Sequence, residues 1–90
     1  MRTVWKYELS LVNKQKIVVP VAFKPLSVQI QNGTLCLWAV VNSACDMKDV
    51  LITIEGTGME CNCFEHTYVG TVQLSSILVF HVFAEDLCVS

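Results

Sequence analysis

Trp5, Tyr7, Leu9 and Leu11 alternate with Lys6, Glu8 and Ser10. A period of two belongs to a strand, here with its aromatic face inward and its polar face toward water. Asn13-Lys14-Gln15 reads as a turn, and Ile17-Val18-Val19 as a short β-branched strand stopped by Pro20. Val21 to Lys24, closed by Pro25, reads as an irregular connection or an edge. Proline cannot donate to a ladder, so neither proline belongs in a central strand. Leu26 to Gln31 and Thr34 to Val41 then flank Asn32-Gly33. These two residues tolerate the positive φ that a two-residue type I′ turn requires. The hairpin sets Ile30 opposite Leu35, Val28 opposite Leu37 and Ser27 opposite Trp38. Its second arm is apolar on both faces, which predicts a central position.

Asn42 to Asp49 reads as a polar connection with room for one helical turn, and Val50 to Glu55 as a strand ending at Gly56-Thr57-Gly58. Met59 to Thr67 has no clear period and is the expected long loop. Tyr68 to Leu74 and Ile77 to Ala84 form a final hairpin around Ser75-Ser76, with Val72 opposite Val79 and Gly70 opposite His81. The expected fold is all-β: a small antiparallel β-sandwich or partly open barrel of six to seven strands, with little helix. Residues 1–85 make one β domain and 86–90 a C-terminal tail.

Composition sharpens this picture. Hydrophobic residues make up 53% of the chain and charged ones only 16%, with a mean hydropathy of +0.53. A domain this small leaves much of its surface in water, so the apolar excess predicts a covered face and a homo-oligomer, most simply a dimer. The final strand, Leu78 to Phe83, looks like an edge without a proline guard. Phe80, His81 and Phe83 are therefore the candidate interface residues. The longest apolar run, Leu35 to Val41, is far shorter than the roughly 18–20 residues of a membrane-spanning helix. Lys6 and Glu8 interrupt the N-terminal apolar positions, which argues against a secretion signal and for the cytoplasm. Five cysteines, an odd number, fit reduced thiols, with Cys36 a small buried hydrophobe. A net charge of −2 is too mild for nucleic-acid binding or for mimicry of DNA.

Candidate chemistry is sparse. Cys61-x-Cys63-x-x-His66 offers soft metal ligands, but the spacing is not that of a closed zinc site and fewer than four ligands are local, so ordinary loop residues are expected. His81 sits in an apolar strand, where a packed or interface imidazole is commoner than a general base. Gly56-Thr57-Gly58 follows a strand, yet lacks the longer glycine pattern and the helix of a phosphate loop. Aromatics at alternate strand positions, Trp5, Tyr7 and Trp38, are more often core than stacking platforms. No nucleophile stands beside an activating partner in sequence, so the expectation is a protein that is not an enzyme and needs no cofactor.

Thr3-Val4-Trp5-Lys6-Tyr7-Glu8-Leu9, Leu26 to Gly33, Leu37-Trp38-Ala39, Gly56-Thr57-Gly58, Tyr68 to Gln73 and Leu78 to Phe83 occur in that order. As a set they resemble a family of small uncharacterised proteins carried by bacteriophages and prophages. The chain departs from that family at Cys61 to Glu65 and after Glu85. The resemblance implies a phage origin and a place in the host bacterial cytoplasm, and carries no catalytic residue or ligand with it. A binding protein that counters host defence or modulates a host factor by protein contact follows as the leading expectation. Capture of a nucleotide second messenger is the nearest variant, with Lys6, Lys16, Lys24, Trp38, Gly56, Thr57 and Gly58 as candidate contacts. A structural, virion-associated, self-assembling β module is the competing class.

Overall fold

The computed structural model describes residues 1–60 and 66–86, which form seven antiparallel strands in two sheets. These are β1 (Arg2–Leu9), β2 (Lys14–Pro20), β3 (Phe23–Gln31), β4 (Thr34–Asn42), β5 (Met47–Gly56), β6 (Thr67–Gln73) and β7 (Val79–Asp86). One sheet runs β1-β4-β3 and the other β2-β5-β7-β6. The sheets face each other as a sandwich and do not close into a barrel.

Alternation decides which residues form the core. Leu35, Leu37, Ala39 and Val41 of β4 point inward and are buried, as do Val50, Ile52 and Ile54 of β5 and Val82 and Ala84 of β7. Leu9, Val19, Val28 and Val72 complete this cluster from the surrounding strands. Ala39 lies between Trp5 and Pro25 across its sheet. Its small side chain leaves room for Tyr7 and Phe23 to meet edge to face, with ring centroids 6.0 Å apart.

The Asn32-Gly33 hairpin forms with the register its sequence dictates: Ile30 opposite Leu35, Val28 opposite Leu37 and Ser27 opposite Trp38. Asn32 and Gly33 take φ of 52° and 79°, the left-handed pair of a type I′ turn. β4 is central, flanked by β1 and β3. Both prolines lie on edge strands, Pro20 as the last residue of β2 and Pro25 beside a bulge in β3.

Several expectations are corrected. Lys14 and Gln15 are strand residues paired with Thr53 and Ile52, so the turn lies earlier, where the Gln15 side chain bonds both backbone groups of Ser10. Leu11 falls outside β1 and is exposed. Phe23 and Lys24 already belong to β3. The connection after β4 holds no helical turn, because Asn42 closes it by accepting from the backbone N–H groups of Ala44 and Cys45.

The final hairpin is shifted by one residue: Gln73 pairs with Val79, Val72 with Phe80, Thr71 with His81 and Gly70 with Val82. Paired residues share a sheet face, and Val72 is buried on the same side as Val82, so it cannot oppose the outward Val79. β7 is not an edge. It lies between β5 and β6, hydrogen-bonded on both sides, so the strand that follows β5 in sequence is not its neighbour in the sheet. Pairing of subunits through the backbone of Phe80, His81 and Phe83 is therefore excluded.

Candidate functional site

Three connections meet at one end of the sandwich. Asn13 fixes the first, its side-chain amide donating to Ile54 O and to Glu55 Oε1, both at 3.0 Å. Ile54 N returns a bond to Asn13 O at 2.8 Å. The second follows β5, where Met59 N bonds Gly56 O at 3.1 Å and Gly58 takes φ of 86°. Thr57 N ties this connection to Val79 O. The third joins β6 to β7, where Ser75 Oγ accepts from the N–H groups of Ile77 and Leu78 and Leu74 N donates to Leu78 O.

Apolar side chains project from these connections. Leu11, Val12, Met59, Ile77 and Leu78 are all exposed, Ile77 at 85% and Met59 at 69%. They line a cavity of about 550 Å³ together with Ile54, Val79 and Phe80 and the charged residues Glu55 and Glu60. An apolar hollow of this size with a few polar groups has the general form of a binding site.

His81 lies just outside it, on the outer face of the four-stranded sheet. Its Nε2 is 2.7 Å from Thr57 Oγ1 and its Nδ1 is 2.9 Å from Thr71 Oγ1, which also meets Tyr68 Oη. One direction of donation satisfies every group. Tyr68 donates to Thr71, Thr71 to Nδ1, and Nε2–H to Thr57, which donates to Val79 O at 3.4 Å. Both ring nitrogens are thereby occupied by hydroxyls.

The other residues singled out in the sequence are dispersed. Gly56 and Thr57 line the cavity and Gly58 shapes its rim. Lys6 and Trp38 are directly paired on the outer face of the three-stranded sheet, and Lys24 lies on the same face opposite Val40. Lys6 Nζ donates to Gln31 Oε1 at 3.0 Å. Lys16, opposite Leu51, lies on the outer face of the other sheet and is separated from them. Cys61 and Cys63 fall outside the described residues, and His66 Nε2 lies 3.2 Å from Glu85 Oε2. Among the described residues no three His, Cys, Asp or Glu side chains converge on one point. Cys36 is buried although it faces outward, under the neighbouring long side chains of its sheet. The cavity itself was hidden from sequence reasoning. Its signal was the run of apolar residues inside polar connections, Leu11-Val12, Met59 and Ile77-Leu78.

Fold and site thus define an antiparallel two-sheet sandwich with an apolar hollow at its loop end. The chain belongs to the family defined by a domain of unknown function, DUF7352, which matches residues 1–87. No curated protein and no solved structure matches it.

Proposed function

We propose that this is a non-enzymatic binding protein of phage origin that acts in the host bacterial cytoplasm, countering a host defence or redirecting a host factor through protein contact. The observation that carries the reading is the loop-end cavity, where Leu11, Val12, Met59, Ile77 and Leu78 remain exposed on the connections that meet there. Exposed apolar patches rimmed by polar groups mark interaction surfaces. The occupant that fits is an apolar segment of a host protein carrying a lysine or arginine, since Glu55 and Glu60 are the charged residues lining the cavity. Phage origin rests on the resemblance described above.

The nucleotide variant has a surface of its own. Arg2, Lys6, Lys24 and Trp38 share the outer face of the three-stranded sheet, and Arg2 and Lys24 line a shallow depression beside Val40. That depression shares no lining residue with the loop-end cavity, so one variant separates the two readings.

The test compares complexes captured by the tagged wild type and by Met59→Asp/Ile77→Asp, both produced in the bacterial host. A stoichiometric host protein held by the wild type and lost from the variant, with weaker capture at high salt, is expected. Equal capture by both proteins, or recovery only with purified particles, overturns the reading in favour of the other surface or of a virion-associated module.

A further inference from the structure

The sandwich has four edge strands, and three of them carry a device that discourages pairing with another chain. β3 has Pro25 and a bulge between Pro25 and Ser27. β2 ends in Pro20, and β6 is bulged between Tyr68 and Gly70. β1 has neither. Arg2 to Leu9 pair with β4 in unbroken register, so the opposite side of β1 offers a straight, proline-free edge. The sandwich closes along β3 and β6 and is open along β1. Trp5, on the inward face of β1, is consequently 37% exposed.

We infer that β1 is a self-association edge, pairing with β1 of a second copy about a two-fold axis at Trp5. A two-fold pair of identical strands is antiparallel, and its registers can be compared directly. To keep the inward faces of both copies on one side, odd residues must oppose odd and even oppose even. Centring on Val4 sets Arg2 against Lys6 of the second copy, twice. Centring on Lys6 sets Lys6 against itself. Centring on Tyr7 opposes Lys6 to Glu8 but pairs only Trp5 to Leu9 and leaves Arg2 unmatched.

Centring on Trp5 sets Arg2 opposite Glu8 at both ends, Val4 opposite Lys6, Thr3 opposite Tyr7 and Trp5 against its own copy. No like charges meet in that register, and opposite charges across strands stabilise while like charges destabilise. It also covers the exposed Trp5 ring. The two three-stranded sheets become one continuous sheet, β3-β4-β1-β1-β4-β3, while the loop-end cavities stay free. This association is independent of the function proposed above.

Sedimentation equilibrium at tens of micromolar protein tests it, with circular dichroism confirming that each variant is folded. The wild type is expected to be a dimer. Glu8→Arg, which brings Arg2 against an arginine at both ends, is expected to weaken the dimer by about tenfold or more. Arg2→Glu/Glu8→Arg restores opposite charges and is expected to recover it. A monomeric wild type overturns the proposal, as does a dimer indifferent to Glu8→Arg or one that the double exchange does not recover.

Discussion

The Tyr7 hydroxyl ends inside the sandwich, sealed from water and with no hydrogen-bond partner among the described residues. Burial raises its pKa above the ordinary value of 10.0. The sign follows from which state ionises first. Below that ordinary value the ring is neutral whether the chain is folded or unfolded, and the fold keeps its full stability. As pH rises through it, the unfolded chain loses its proton before the folded one, so stability falls toward the raised folded value. Tyr7→Phe removes both the titration and the unpaired hydroxyl. We expect the variant to keep stability above about pH 10 that the wild type loses, and to gain about 1 kcal/mol at neutral pH. Urea melts across the alkaline range check this, and identical pH dependence in the two proteins would count against it. Legibility at this scale was uneven. Asn32-Gly33 announced its backbone angles because only such residues tolerate them cheaply. That Tyr7 would bury its hydroxyl depends on Phe23 and Ala39, which the sequence does not place beside it.

At the scale of elements, Gly70 shows what strand patterning leaves unsaid. From sequence it is expected to face His81. In the fold it opposes Val82 and marks where β6 approaches β3 across the sandwich. A Cβ at position 70 would lie 2.9 Å from Val28 Cγ2 and 3.6 Å from Val28 N. Val28 is buried and stiff at χ1, so it yields poorly. Gly70→Ala is expected to destabilise by about 1–3 kcal/mol through overpacking. Val28→Ala removes the opposing methyl groups, so Gly70→Ala should cost less in that background. Denaturant melts of both single variants and the double variant read this coupling, and strict additivity would show that the two residues are not in contact. Periodicity reports which face a residue occupies, and the inward Trp5, Tyr7 and Leu9 of β1 were legible for that reason, whereas β4, apolar on both faces, did not announce its inward set. Periodicity is silent on which strand lies beside which. The place of β7 between β5 and β6, and the bulge that resets β6, arise from the path of the whole chain.

The apolar excess divides in the whole molecule. Part of it fills the core and part stays exposed, at the loop end, at Trp5 on the open side of β1, and singly elsewhere, as at Val18, Leu26 and Met47. Composition foretold a surplus without locating it, because Leu11, Met59 and Ile77 are far apart in sequence and are gathered only when both sheets are complete. If the loop-end residues serve recognition, they contribute little to folding. Ile77 and Met59 lose most of their contact with water only when something else covers them. Met59→Asp/Ile77→Asp should therefore melt within about 4 °C of the wild type, the range of a surface change near 0.5 kcal/mol. The same variant should lose binding of an apolar fluorescent dye that the folded wild type takes up at this end. A much larger fall in melting temperature would make the cavity part of the core, since core truncations and buried charges cost several kcal/mol where surface changes do not. Unchanged dye binding in a stable variant would instead move the accessible apolar surface to the β1 side, where Trp5 lies open.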